Sequence, residues 1–237
     1  QKQLSICAIF KNEAPYIKEW IEFHKLQGVD HFYFYNNNSD DEYLDVLSPY
    51  LSNGVATLVD WPYTFVPGQA EDWLKIQAGA YTHCLENYGN SISWMAAMDV
   101  DEFLFCPGGE TLPEFLANFT QYGGVGVNWL FFGTSNVEEL PPNVLMIEAL
   151  TMCSHRDIPI NLFIKSIVQP QYVQKALNAH TFLYKEGYYP VGSDGNKIEG
   201  GLSVVGLLDH IRINHYWTRT EKRFREQKIQ SRNNRRL

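Results

Sequence analysis

The chain has 237 residues, enough for one sizeable α/β domain, and its 45% hydrophobic and 14% aromatic content excludes disorder for the body. The formal net charge of −8 is unevenly placed: residues 219–236 carry eight Lys/Arg and two Asp/Glu, and the rest carries eleven basic and twenty-five acidic side chains. An acidic body argues against nucleic acid as a partner, while the basic run reads as a solvated helix face or a peripheral contact with an anionic membrane.

Residues 4–10 are a short apolar run and read as a buried strand. After Lys11-Asn12-Glu13, Pro15 takes an early helical position, and Tyr16, Ile17, Trp20, Ile21 and Phe23 recur at helical spacing as far as Gln27, before Gly28. Residues 31–35 form a second aromatic strand, closed by the polar turn Asn36-Asn37-Asn38-Ser39-Asp40. A helix leading to Asn53-Gly54, a third strand over 55–60, a helix over 71–88 and a fourth strand over 93–98 follow. This order predicts parallel strands with right-handed crossovers, a Rossmann-like half that binds ligands at the strands' carboxyl ends. Lys11-Asn12-Glu13, the 36–40 turn and Asp99-Val100-Asp101 converge there. The absence of GxGxxG and GxxxxGK[ST] patterns weighs against dinucleotide and P-loop chemistry.

In the second half, Thr111-Leu112-Pro113-Glu114 has the form of a capping box before residues 115–119. Strands are predicted over 124–132, 162–168, 180–184 and 207–213, and a helix over 221–230. There is no repeat or low-complexity linker, so one domain is expected. Cys7, Cys84, Cys106 and Cys153 form no CxxC pair, which speaks against a zinc site or disulfide framework.

Asp99-Val100-Asp101-Glu102 puts closely spaced carboxylates at the end of an apolar strand. Their repulsion calls for a cation or water, and Mn or Mg bound there could bridge a diphosphate leaving group; an acidic surface turn is the plain alternative. A neutral His215 suits a third ligand position, against a satisfied buried histidine. His180 reads either way. Lys165, between apolar neighbours, needs a phosphate or an acidic partner. Trp129, Phe131 and Phe132 suit either sugar stacking or the core. Glu138, Glu139, Asp157 and Asp194 are alternative general bases, with Glu138 favoured because it follows Gly133-Thr134-Ser135.

Lys11-Asn12-Glu13, Tyr16-Ile17-Lys18-Glu19-Trp20, His24, Gly28-Val29 and Tyr35-Asn36-Asn37-Asn38-Ser39-Asp40 resemble the opening signature of family-92 glycosyltransferases, relatives of the family-2-like transferases. Trp94 with Asp99-Val100-Asp101-Glu102-Phe103, Trp129 with Phe132-Gly133, Lys165-Ser166-Ile167-Val168 with Pro170, His180 and His215-Tyr216 resemble its later blocks, in order. The resemblance implies a GT-A fold within α/β: a Rossmann-like nucleotide-sugar half (1–105) fused around one mixed sheet to an acceptor half (106–218), with a basic segment over 219–237. It implies that Phe10, Lys11 and Glu13 meet the nucleobase or ribose, and that Asn36, Asn38 and Ser39 line the nucleoside. By the same resemblance Asp99 serves ribose and metal, Asp101 is the more direct metal ligand, and His215 completes the site. Trp129, Gly133, Lys165 and His180 are then substrate-binding positions. Asn36 departs from the pattern, where an acid is frequent.

The function so implied is metal-dependent, inverting transfer of a hexose, galactose favoured, from a UDP-sugar to a glycan or other hydroxyl acceptor, with Mn2+ or Mg2+ as cofactor. The rivals are a nucleotidyltransferase or other phosphoryl-chemistry enzyme, and a non-catalytic sugar-binding module. A sequon at Asn37 falls in the proposed nucleoside turn and a second is at Asn118. A glycan at Asn37 would block the donor, so a cytoplasmic, membrane-associated placement is expected. The Golgi lumen is the alternative if an anchor precedes Gln1.

Overall fold

A computed structural model describes residues 1–64 and 71–229. In chain order the elements are β1 (Lys2–Phe10), α1 (Ala14–Leu26), β2 (His31–Asn36), α2 (Tyr43–Ser52), β3 (Ala56–Asp60), α3 (Glu71–Tyr88), β4 (Ile92–Ala97), β5 (Glu102–Phe105), α4 (Leu112–Leu116), β6 (Gly124–Phe131) and α5 (Met146–Ala149). They continue with β7 (Ile164–Val168), β8 (Val173–Ala176), β9 (Phe182–Tyr184), β10 (Pro190–Val191), β11 (Arg212–His215) and α6 (Glu221–Arg223), which runs into a π-helical turn, Phe224–Ile229.

One mixed sheet organises the molecule in the order β3-β2-β1-β4-β7-β6-β11-β5, with β10 beside β6. The first four strands are mutually parallel, as the alternation of strands and helices predicts. β7 reverses direction against both β4 and β6, β11 runs parallel to β6, and β5 closes that edge antiparallel to β11. Period-two alternation divides the apolar residues between the faces. Leu4, Ile6, Ala8, Phe32, Phe34 and Ala96 join α1 and α2 on one side, where Trp20 is fully buried. Cys7, Ile9, Tyr33, Tyr35, Met95 and Ala97 meet α3 and the β8–β9 hairpin on the other.

The second half departs from the sequence-based expectations. The apolar run over 207–213 is not a strand along its length: Leu208 and Ile211 are buried anchors of a loop, Leu207 N donates to Asn128 Oδ1 at 3.0 Å, and pairing begins at Arg212. The strand expected from 162 starts at Ile164, because Pro159–Leu162 turns as a 3-10 helix around the buried Asn161. The strand expected from 180 starts at Phe182, since Asn178 Oδ1 accepts from His180 N and Thr181 N at 2.7 and 2.9 Å and holds a turn there. β5, β8 and β10 were not anticipated; each is four residues or fewer. The helix expected over 221–230 is α-helical for one turn only, and Gln230 lies outside the described residues.

Candidate functional site

The three strand-end segments do meet. The 11–14 and 36–41 loops are knitted by their own polar side chains: Asn12 N donates to Ser39 Oγ (3.0 Å), Asp40 N to Asn12 Oδ1 (2.9 Å), Ala14 N to Asp41 Oδ2 (2.8 Å) and Ser39 N to Asn36 Oδ1 (2.9 Å). Asn12 and Asn38 sit at positive φ, a backbone that Asn tolerates better than most residues. Asn36 and Ser39, expected against the nucleoside, therefore engage their side chains in building the cradle, while Asn38 and Lys11 are exposed at its rim. The Phe10 ring is buried against Phe34 and Tyr43, and its carbonyl serves the loop, accepting from Asn37 N at 2.8 Å. The Asn37 amide turns inward to the carbonyls of Trp61 and Tyr63, both at 2.8 Å, so this sequon is closed in the folded chain, whereas Asn118 is exposed.

The Asp99-Val100-Asp101-Glu102 motif is a tight turn between β4 and β5, closed by Glu102 N to Asp99 O at 3.1 Å and by Asp99 N to Glu102 Oε2 at 2.8 Å. The turn separates its carboxylates into two groups. Asp99 faces α3 and β7: Gln77 Nε2 donates to its Oδ1 at 2.7 Å and Lys165 Nζ to its Oδ2 at 2.9 Å. Lys165 is 1% exposed and also stands 3.4 Å from the fully buried Glu102. Burial alone would lower the lysine's pKa; the carboxylates of Asp99 and Glu102 outweigh it and hold the ammonium above the usual lysine range. Of the two readings open for Lys165, the structure realises the acidic partner.

Asp101 faces the other way. Its Oδ1 lies 3.4 Å from His215 Nε2, its carbonyl accepts from Tyr216 N at 2.8 Å, and both side chains are buried. Beside them Arg219 pairs with Glu13 and lies over the Tyr16 ring at 3.8 Å, while Arg223 Nη2 donates to Asn12 O at 2.7 Å. Burial pushes the Glu13 carboxyl up against the pull of Arg219, and the nearby Asp101 adds to the rise. Burial likewise would lower the Arg219 guanidinium, but Glu13 and Asp101 hold it up.

An aromatic and imidazole wall completes the group. Trp129 packs on His215 (ring centroids 4.4 Å), Phe163 (5.5 Å) and His180 (5.4 Å). Burial and then the Lys165 charge lower the His180 pKa, so the ring is neutral and its Nδ1 donates to Ile164 O at 2.8 Å. Trp129 Nε1 and His215 Nδ1 are buried without a hydrogen-bond partner among the described residues.

A family model described as glycosyltransferase family 92 matches residues 2–233. The chain belongs to glycosyltransferase family 92. Family 92 proteins of Oryza sativa subsp. japonica (32% identical, over 52% of this chain and 20% of that protein) and Ricinus communis (25%, over 94% and 37%) are among its relatives. An Arabidopsis thaliana family 92 protein is 27% identical over 78% of this chain and 32% of its own length. The chain thus spans about a third or less of the curated relatives it matches. Among solved structures, Staphylococcus aureus TarS 1–349 has a TM-score of 0.42 at 14% identity over 72% of this chain and 48% of TarS. Glucosyl-3-phosphoglycerate synthase of Mycobacterium tuberculosis, in complex with Mn2+, UDP and glucosyl-3-phosphoglycerate, has 0.36 at 14%, over 73% and 58%.

In this family 92 chain the expected three-ligand metal set is not preassembled: both Asp99 oxygens are engaged by Gln77 and Lys165, and no group of three or more His/Cys/Asp/Glu side chains is arranged for a metal among the described residues. The candidate bases are dispersed. Glu138 pairs with Arg225 and Glu139 with Lys222. Asp157 lies 3.4 Å from His155 on an exposed turn. Asp194 engages its carboxylate on Asn196 (3.0 and 2.7 Å) in the turn after β10, which pairs with the amino end of β6, so nothing ties it to the strand-end group. The described part of the basic segment folds back on the chain. Arg219, Lys222, Arg223 and Arg225 all have intramolecular carboxylates, and residues 230–237 lie outside the described residues. Sequence reasoning did not single out Gln77, Arg219, Arg223 or Glu221, whose carboxylate accepts from Thr134 Oγ1 at 2.5 Å. A basic residue in a basic run carries no signal that it will fold back onto Glu13.

Proposed function

We propose that this chain is the catalytic module of a GT-A-type glycosyltransferase that moves a hexose, galactose favoured, from a UDP-sugar to a hydroxyl of a glycan or similar acceptor. The observation that carries the reading is Asp101 beside His215 at the edge where the parallel strands end, next to Glu13 and two arginines. That edge is where open α/β sheets bind nucleotides, and family 92 membership supports glycosyl transfer there.

Asp101 and His215, whose facing atoms are 3.4 Å apart, would hold a divalent ion between a carboxylate and an imidazole. Such an ion would supply charge neutralisation for a diphosphate leaving group. Glu13 and the 36–41 cradle border the nucleoside. Trp129 Nε1, a buried donor without an acceptor among the described residues, would be free to meet the donor. The Lys165 ammonium acts through Asp99, holding the turn so that Asp101 points at His215. The acceptor hydroxyl gives its proton to a carboxylate and displaces UDP in line. Glu138 remains the proposed base, since its segment continues directly from the 133–136 loop.

The test is thermal unfolding with UDP and UDP-sugars, with and without Mn2+. A rise in Tm that needs both nucleotide and metal, with UDP rather than pyrophosphate or phosphate released on turnover, is expected. No shift with any nucleotide sugar in either condition overturns the proposal. In Asp101→Ala the metal-dependent part of the shift disappears; full metal-dependent transfer by that variant removes Asp101 from the metal site.

A further inference from the structure

At the carboxyl end of β6 an open cavity of about 350 Å³ lies between the 133–136 loop and the 152–154 segment, with Phe131 as its inner wall. Phe131 is also a neighbour of His215 in the Asp101–His215 pair. Register aligns Phe131 with His215 on the neighbouring strand, and their ring centroids are 5.4 Å apart. The cavity and the proposed transfer centre therefore share Phe131 as a common neighbour.

The walls are fixed by the backbone. Gly133 N donates to Met152 O at 3.0 Å, Ser154 N to Phe131 O at 2.7 Å, and Met152 N to Ser135 Oγ at 2.9 Å. Ser135 and Asn136 both have φ near +55° (54° and 59°), a costly backbone for two consecutive non-glycine residues and one that collects at ligand sites. Gly133 leaves open space: a Cβ there would meet nothing closer than Met152 O at 3.9 Å. The lining comprises the Thr134, Ser135 and Ser154 hydroxyls, the Asn136 amide, a thiol, a thioether and an aromatic face, with no charged side chain.

We propose that this cavity is the acceptor subsite and that it takes an uncharged sugar ring. The hydroxyls of Thr134, Ser135 and Ser154 each have one protein partner and keep further hydrogen-bonding capacity for sugar hydroxyls, and Phe131 adds aromatic surface suited to the apolar C–H side of a pyranose. Thr134 Oγ1 donates to the Glu221 carboxylate at 2.5 Å, so an anionic sugar would meet a carboxylate behind the wall and no charged partner in the lining, at a cost its neutral counterpart does not meet. The cavity is at the small end of the roughly 300–1,000 Å³ typical of ligand pockets, a volume that fits the terminal unit of a glycan. This inference rests on the glycosyl-transfer reading above.

Cys153 supplies the reporter, because it is in the wall and is the exposed one of the four cysteines, the other three being buried. Its labelling by a small methanethiosulfonate is to be followed with neutral methyl hexosides, with sugar phosphates and with UDP. Neutral hexosides are expected to slow labelling at least threefold, and sugar phosphates and UDP not to. Two variants accompany this. Gly133→Leu fills the cavity, and Asn136→Gly removes the amide in a residue suited to the left-handed backbone. Both are expected to keep the UDP-dependent rise in Tm, and the acceptor KM to rise at least tenfold for Gly133→Leu and severalfold for Asn136→Gly. Unchanged acceptor KM in both variants, equal protection by sugar phosphates, or no protection by neutral hexosides overturns the subsite. Loss of the UDP shift in Gly133→Leu gives the cavity to the donor instead. A wild-type chain with no UDP shift but clear protection by neutral hexosides retains the sugar cavity and overturns the transfer reading alone.

Discussion

His24 is fully buried between α1 and β5, and both its ring nitrogens are committed: Nδ1 to Trp20 O at 2.8 Å and Nε2, as acceptor, to Leu104 N at 3.1 Å. Only the neutral ring can do both. Burial drives its pKa down to about 3 from 6.5, so below pH 6.5 the unfolded chain takes up a proton that the native chain refuses. Stability present above pH 6.5 is therefore lost as pH falls towards 3, by a few kcal/mol at about 1.4 kcal/mol per pKa unit. Urea titrations from pH 7 to 4 should show this loss, and His24→Gln should flatten the slope. Lys165 has the opposite sign. Its raised pKa gives stability that is present below about 10.5 and is lost as pH rises through the higher native value. Lys165→Met leaves two carboxylates facing each other around an empty position and should lower unfolding free energy by about 3–5 kcal/mol in urea. At the proposed base, Glu138→Gln should lower kcat by a factor of roughly 10²–10⁴ while leaving the UDP-sugar shift in Tm unchanged.

Among the elements, the first half of the chain was legible because β1, β2 and β4 are buried on both faces and its helices carry clear stops. Gly28 shows why one such stop cannot be exchanged. It sits at φ +92°, and a Cβ there would meet Pro113 Cδ of α4 at 2.7 Å. Gly28→Ala combines backbone strain with a clash and should cost about 1–3 kcal/mol by chemical denaturation. The Thr111–Glu114 capping box forms as its spacing predicts, with Thr111 N donating to Glu114 Oε2 at 2.7 Å; Thr111→Ala should cost about 1 kcal/mol. The second half was less legible because its order comes from side-chain networks rather than periodicity. Asn161 and Asn128 show this: buried amides serving carbonyls at 155, 156, 161 and 162 read in sequence as ordinary loop asparagines. Four-residue strands such as β5 and β11 carry too few positions to display a period.

At the scale of the molecule, the two halves share one sheet and one apolar cluster, which runs from Leu4 and Trp20 to Trp129 and Tyr216. β4 reaches the second half of the chain through β7, and β5 is held by β11. A fragment of residues 1–105 leaves β4 with an open edge and β5 without its partner, so circular dichroism should show no cooperative transition for it, whereas the whole chain should melt in one. The strap over 218–229 adds a second tie between the halves: Arg219 and Arg223 hold the Glu13 loop, and Glu221 N donates to Val137 O at 2.9 Å. Local sequence determined the parallel β-α-β half, the three loops at its carboxyl edge and the residues worth watching, because periodicity, glycine stops and turn residues act over short range. Tertiary structure alone decided which way each carboxylate of Asp99-Val100-Asp101-Glu102 points. That choice depends on Lys165, Gln77 and His215, which approach from 22 to more than 100 residues away, and no local pattern encodes partners at such separation.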